Sequence, residues 1–299
     1  MYEKHFGLES DPFRLSPSSR PCYEHKTYRR AVAYLAYALG RREGVLMLTG
    51  TPGTGKTSVI RDFANSIADP DLAIEQIVCS RLDGEDLLRA VALRFGVEAD
   101  GAKKAVLFER LAERLAGFWE HGRRPVLIID EAQGLTRDAL EEVRGLTNLQ
   151  RGDEVMLQVF LVGQPQLKAT VRSPGLEQLH QRLIVACRLD PLDEEEVEPY
   201  VAHCLEVAGY HGSAPFDPAV YPLVHGESFG IPRRINLIMS RLMLHGMVQN
   251  LEHLGERDAR RVLAGLRREG LLSSQSWKTD TNDDDMGAHE ERAVDDAHD

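Results

Sequence analysis

The chain has 299 residues, 42% of them hydrophobic and 28% charged, with a formal net charge of −11 at pH 7, a composition that argues against a disordered or membrane-embedded chain. No apolar run approaches the roughly 18 residues of a spanning helix, and Met1-Tyr2-Glu3-Lys4-His5 lacks an apolar signal core, so a cytoplasmic protein is expected. Residues 273–299 hold nine acidic and two basic residues, −7 of the total, which leaves −4 for the rest and disfavours a broad nucleic-acid footprint.

Residues 2–21 are rich in Pro, Ser and single aromatics (Phe6, Phe13) without a clean period, and read as a docked, irregular arm. A helix is predicted over 27–39, with Ala31, Leu35, Ala38 and Leu39 on one face. The apolar run Val45-Leu46-Met47-Leu48 then leads into Gly50-Thr51-Pro52-Gly53-Thr54-Gly55-Lys56-Thr57 and a helix over 58–68. That order of strand, glycine loop and helix is what a phosphate-binding loop requires. Glycines let backbone N–H groups turn onto phosphate oxygens, and the helix N-terminus adds positive potential. Lys56 would reach the β- and γ-phosphates of a nucleotide, and the Thr57 hydroxyl would ligate Mg²⁺.

A strand is predicted over 74–79, then helices over 84–95 and 103–119, the second with Phe108, Leu111, Leu115 and Phe118 as a core stripe. Pro125-Val126-Leu127-Ile128-Ile129 reads as a strand buried on both faces, closed by Asp130 and Glu131. An Asp at such a tip would hold Mg²⁺, and the adjacent Glu would polarise a water for attack on the γ-phosphate. A helix over 136–150 and a strand over 156–162 follow, the strand ending at Gly163-Gln164-Pro165, where Gln164 would touch the γ-phosphate or its water. After a short helix over 176–181 comes Arg182 and a last strand over 183–189. Strands alternating with helices predict an α/β fold, a parallel sheet with helices on both faces.

From Pro191 the strands stop. Asp193 and Glu196 form an N-cap pattern for a helix whose apolar face includes Val197, Val201 and Leu205. Further helices are predicted to begin near Asp217-Pro218 and after Gly230-Ile231-Pro232, with a basic one over 257–268, together a small all-helical domain. Residues 273–299, with Asp283-Asp284-Asp285, are expected to be a disordered acidic tail. The domain plan is therefore 1–44 arm and first helix, 45–190 α/β core, 191–272 helical lid and 273–299 tail. Cys22, Cys79, Cys187 and Cys204 form no CxxC pair, so neither a zinc site nor a disulfide framework is suggested.

Four stretches in this order carry a resemblance: the glycine loop, Ile128-Ile129-Asp130-Glu131-Ala132-Gln133, Val162-Gly163-Gln164-Pro165 and Gly230-Ile231-Pro232-Arg233-Arg234-Ile235-Asn236. The sequence resembles an AAA+ ATPase, more narrowly the ExeA type, the general secretion pathway protein A group that includes ATPases associated with exosortase and exopolysaccharide systems. The resemblance begins at Tyr2-Glu3-Lys4-His5-Phe6-Gly7-Leu8 with Asp11-Pro12-Phe13 and runs to about Val248. It implies a P-loop AAA+ core with a parallel five-stranded sheet and a helical lid, ATP and Mg²⁺ as ligands, and a homo-oligomer with ATP at subunit interfaces. Residues 50–57 with Ser58 would hold the nucleotide, Thr57 and Asp130 the metal, and Lys56 and Thr57 match Walker A as Asp130 and Glu131 match Walker B. Gln164 takes the sensor-1 position, where many AAA+ proteins have Asn or Thr. Arg182 is placed like the arginine finger that completes a neighbour's site, with Arg172 or Arg188 next in line, and Arg233 matches sensor 2.

Secretion proteins of this group continue into a membrane span and a peptidoglycan-binding domain, so the expected match is the soluble, exosortase- or polysaccharide-associated branch. Two functions follow from the resemblance. The first is an ATPase that remodels or positions a protein partner in bacterial envelope export or exopolysaccharide assembly, cytoplasmic or peripheral at the inner membrane through that partner. The second is an ATP-gated DNA-binding regulator similar to transposition target selectors, with Arg257, Arg260, Arg261, Arg267 and Arg268 as the nucleic-acid contacts; the nearly balanced body favours the first. A DEAD-box-like helicase, suggested by Asp130-Glu131-Ala132-Gln133, would need a second nucleotide-binding-like α/β domain after residue 190, and none is read there.

Overall fold

Consecutive long or branched apolar side chains, as in Val45-Leu46-Met47-Leu48 and Val126-Leu127-Ile128-Ile129, are stable in a strand only where both faces are covered. In the computed structural model, which describes residues 2–15, 21–67, 71–152 and 154–272, these runs are inner strands of a five-stranded sheet. The first elements are α1 (Tyr2–His5), α2 (Lys26–Arg41), β1 (Val45–Thr49), α3 (Lys56–Ser66), β2 (Leu72–Val78), α4 (Gly84–Arg94), α5 (Lys104–Glu120) and β3 (Arg124–Asp130). A 3-10 turn (Ala132–Gly134), α6 (Arg137–Leu146), β4 (Gln150–Arg151), β5 (Glu154–Val155), β6 (Gln158–Gly163), α7 (Gln166–Val171), α8 (Glu177–Gln181) and β7 (Leu183–Arg188) follow. Four helices come last: α9 (Glu194–Val207), α10 (Val220–Ser228), α11 (Pro232–Gln249) and α12 (Glu256–Arg268).

The sheet order is β2-β3-β6-β1-β7 and every pair is parallel. All five strands therefore end at one edge. Because β6 lies between β1 and β3, with Thr49 opposite Gly163 and Ile129 opposite Leu161, the chain leaves Thr49, Asp130 and Gly163 side by side. Alternate side chains fill two cores. Met47, Leu127, Ile129, Val159 and Leu161 pack against α4, α5 and α6, while Leu46, Leu48, Ile128, Phe160 and Val162 pack against α2 and α3. Side-chain caps fix the helix starts: Asp83 accepts from the Asp86 N–H and Thr136 from the Ala139 N–H. At α9 the reciprocal pair expected of Asp193 and Glu196 is present as a capping box.

The helices α9 to α12 surround a third core, and the arm is part of it. Tyr2, Phe6, Leu8 and Phe13 are buried there with Val197, Val201, Ile235, Met239 and Leu263. The arm is not irregular throughout, since residues 2–5 form a helical turn, and the Glu9 N–H bonds the Ala208 carbonyl (2.9 Å). Residues 21–25 lead into α2.

Three further differences have local causes. The helix predicted over 136–150 stops at Leu146, where the Arg182 guanidinium takes the Thr147 carbonyl (2.8 Å) left without a helical partner. Residues 147–149 turn, and Gln150 opens the antiparallel pair of β4 and β5. A short helix, α7, follows Pro165, whose fixed φ suits a first turn. The expected disorder of residues 273–299 lies outside the described residues.

Candidate nucleotide site

The loop after β1 is shaped by its glycines. A Cβ on Gly50 would lie 2.6 Å from the Leu189 carbonyl oxygen, and Gly53 and Gly55 adopt φ of +89° and +98°, open to glycine at little cost. Gly55 is the N-cap of α3, so the first N–H groups of that helix point into the loop. The Lys56 ammonium is buried and donates to the carbonyls of Gly50 (2.9 Å) and Thr51 (3.2 Å), spanning the mouth of its own loop. Burial pulls the Lys56 ammonium down from its ordinary value, and the carboxylates of Glu131 and Asp130 push it back up.

The next residue joins the loop to β3. The Thr57 hydroxyl donates to Asp130 Oδ2 (2.7 Å), and Asp130 Oδ1 accepts the Glu131 N–H (2.8 Å). Asp130 is thus a buried carboxylate with both oxygens engaged. Glu131 sits at φ 55° and ψ 35°, a left-handed conformation that a residue with a side chain adopts only when its surroundings impose it. Its carboxylate accepts from Gln133 Nε2, and Gln133 Oε1 accepts the Gln164 N–H (2.9 Å).

A cleft of about 360 Å³ opens beside these groups. One wall is the loop and the start of α3. The arm (Arg14, Tyr23, His25) forms another, and the helical part (Tyr200, His203, Arg233, Asn236) a third. Arg233 reaches the loop itself: its N–H donates to the Gly53 carbonyl (3.3 Å), and a Cβ on Gly53 would lie 2.9 Å from Arg233 Cβ. Tyr200 donates to Asn236 Oδ1 (2.7 Å), whose amide in turn donates to the Arg14 carbonyl (3.3 Å), stitching arm to helices over the cleft.

The residues fit a nucleotide and a magnesium ion. Residues 52–58 line the cleft, so the N–H groups of the loop and of the first turn of α3 border the space that phosphate oxygens would fill. Among the described residues no cluster of three or more His, Cys, Asp or Glu would hold a metal by itself. One hydroxyl and one carboxylate are the sparse oxygen set that suits Mg²⁺, which keeps waters and takes phosphate oxygens for its remaining positions.

Of the residues singled out from sequence, residues 52–58, Glu131 and Arg233 line the cleft, Gly50 and Thr51 lead into it, and Asp130 is bonded to Thr57. Gln164 lies at the same sheet edge with its backbone held by Gln133. Arg182 does not join them. Its carbonyl accepts the Val45 N–H (2.8 Å), which puts it level with the start of β1, about 16 Å from the loop at the rise of a strand, and its guanidinium bonds Thr147 and Asn148. Arg188, at the other end of β7, pairs with Asp190 (2.6 Å). Sequence reasoning assigned no role to Gln133, Tyr23 or Tyr200, although Gln133 lies two residues beyond Glu131.

Residues 40–171 match the AAA domain family model. General secretion pathway protein A of Aeromonas hydrophila is 36% identical over 278 residues, 92% of this chain and 50% of that protein. The chain carries an AAA domain and is similar to the ExeA type of AAA+ protein. This AAA+ chain is also 29% identical over 132 residues, 44% of its length and 42% of the relative's, to the Mu-like prophage FluMu DNA transposition protein B of Haemophilus influenzae. It spans half or less of the curated relatives it matches. Among solved structures, the ORC2 protein of Aeropyrum pernix in ADPNP–ADP complexes superposes with a TM-score of 0.66 at 14% identity, covering 89% of this chain and 76% of that one. That likeness establishes the P-loop AAA+ fold, sheet and helical part together. Among the described residues no helix is long and apolar enough to cross a membrane.

Proposed function

We propose that this AAA+ protein binds ATP with Mg²⁺, hydrolyses it, and uses the cycle to position or remodel a protein partner in bacterial envelope export or exopolysaccharide assembly. The observation that carries the ATPase reading is the contact of Thr57 with Asp130, which brings the glycine loop and the acidic strand tip within one hydrogen bond of each other beside a buried Lys56. In this reading the loop N–H groups and Lys56 bind the β- and γ-phosphates, Lys56 leaving its carbonyls to do so. Thr57 and Asp130 hold the metal, which when bound neutralises charge on the phosphate oxygens. Glu131 accepts the proton of the attacking water, and Gln164 orients that water or the γ-phosphate. Arg233 reports the nucleotide to the helical part, which closes over the cleft. Arg182, remote from its own cleft, serves a neighbouring subunit in a homo-oligomer. The export role rests on the likeness to the secretion pathway protein, with the chain cytoplasmic or held at the inner membrane by its partner.

A DNA-binding reading has the likeness to the prophage transposition protein in its favour. Against it, Arg260 and Arg267 are paired with Glu256 and Glu227. Phosphate release from ATP with and without Mg²⁺ tests the first reading, and a salt titration of DNA binding in the presence of ATP tests the second. Hydrolysis that requires Mg²⁺ supports the proposal, whereas tight, steeply salt-dependent DNA binding moves the assignment to the second.

A further inference from the structure

We propose that Gln133 is a positioning residue that holds the Glu131 carboxylate in register with the tip of β6, an inference that rests on the reading of Glu131 as the base. The orientation of its amide follows from its neighbours. The Gln164 N–H offers only a donor, so it takes Gln133 Oε1 (2.9 Å), and the Nε2 donor is left to face the Glu131 carboxylate, where the bond is found. One side chain therefore joins the base to the strand that lies between it and the glycine loop.

The surroundings are built for this bridge. A Cβ on Gly163 would lie 2.8 Å from Gln133 Oε1 and 3.2 Å from the Gln133 backbone nitrogen, so the strand tip leaves out a side chain where Gln133 approaches. A Cβ on Gly134 would lie 3.2 Å from the Ser80 carbonyl oxygen, so the 3-10 turn that carries Gln133 is pressed against the end of β2. The turn is closed by the bond from the Gly134 N–H to the Glu131 carbonyl (2.9 Å), which accompanies the left-handed backbone at Glu131. Gly163 in turn accepts the Gly50 N–H (3.2 Å), so the tie runs from the base of the loop, through β6 and Gln133, to the carboxylate.

A base works only when its oxygen lies within hydrogen-bond reach of the proton it takes, and a glutamate has three torsions through which to lose that position. Gln133 engages Oε2 and leaves Oε1 for the water. Restricting the side chain in this way raises turnover without adding a contact to the nucleotide, so its removal is felt in kcat and not in affinity.

The test uses the full chain and four variants, Gln133→Met, Gln133→Glu, Glu131→Gln and the double variant Gln133→Met with Glu131→Gln, with kcat, KM, affinity for a fluorescent ATP analogue and Tm measured for each. Gln133→Met keeps the length and removes both bonds, whereas Gln133→Glu keeps the acceptor for the Gln164 N–H, loses the donor to Glu131 and sets a second carboxylate against it. Both are expected to lower kcat by about tenfold or more with nucleotide affinity within about twofold of wild type, while Gln133→Met in the Glu131→Gln background changes kcat by less than about twofold. Wild-type kcat in both single variants at Gln133, or a raised kcat, overturns the inference. So does an equal loss in both backgrounds together with a lowered Tm, which marks a residue needed for folding alone. If Gln133→Met does not fold, Gln133→Glu against wild type decides. A Glu131→Gln variant that turns over at the wild-type rate removes the base reading itself, and the inference with it.

Discussion

The buried arm makes a prediction outside the glycine loop. Phe13 is 1% exposed in the core of the helical part, and its approach is fixed by Asp11, whose carboxylate accepts both the Tyr2 hydroxyl and the Phe13 N–H (2.9 Å). Removing a fully buried phenyl ring costs about 3–5 kcal/mol, and the lower end applies here because the short arm can settle partly into the space. Against a typical stability of roughly 5–15 kcal/mol, Phe13→Ala would therefore remove a substantial fraction, about 3 kcal/mol. The same change loosens Arg14 and the chain that carries Tyr23 and His25, one wall of the cleft, so affinity for ATP is expected to fall by about tenfold, equivalent to about 1.4 kcal/mol. Urea unfolding followed by circular dichroism measures the first effect, and titration with a fluorescent ATP analogue the second. Leu15→Ala is the control in the same segment: Leu15 is 47% exposed, and its truncation is expected to change stability by no more than about 0.5 kcal/mol. A loss below about 1 kcal/mol in Phe13→Ala, or one no larger than in Leu15→Ala, would refute the assignment of the arm to that core.

Lys56→Ala is expected to abolish nucleotide binding, since the phosphates lose their ammonium while the fold on β1 is kept; retained tight binding in a titration contradicts the role of the loop. Arg182→Ala should bind ATP and hydrolyse it poorly, by roughly 10³-fold, and mixing it with Lys56→Ala should restore activity above the sum of the two alone. A mixture of co-assembled variants that never exceeds that sum moves the finger to Arg172 or Arg188. His25 is buried and held below its ordinary value, chiefly by burial with Arg29 adding, while Glu196, Asp190 and Asp193 pull the other way. The unfolded chain then takes up this proton first as pH falls, so the stability is complete above about 6.5 and is lost below it. His25→Gln should flatten the fall in Tm between about pH 6.5 and 5, and an unchanged slope shows that His25 is not its source.

The parts of this protein legible from sequence are those whose signal is local. Strands buried on both faces announce themselves by unbroken apolar runs, and the glycine loop by a spacing tied to its own backbone. The order β2-β3-β6-β1-β7 is what then brings Thr57 to Asp130, 73 residues apart in the chain. The arm was legible only as docked. Tyr2, Phe6, Leu8 and Phe13 have no period because they fill gaps between helices roughly two hundred residues later, and no neighbouring residue records that partner. The pair β4 and β5 has two-residue strands with mostly exposed side chains, too short for alternation to register. Gln133 stands out in the sequence only as the end of Asp130-Glu131-Ala132-Gln133; its bonds to Glu131 and Gln164 depend on Gly163 having no side chain to displace it.

Whether the cleft hydrolyses ATP through Glu131 is decided by phosphate release from wild type and Glu131→Gln, measured side by side with bound nucleotide. Both proteins are expected to bind ATP with Mg²⁺, and only the wild type to turn it over, with the variant slower by about 10²-fold or more. Equal rates in the two proteins, or a wild type that holds ATP and Mg²⁺ and releases no phosphate, would contradict the account.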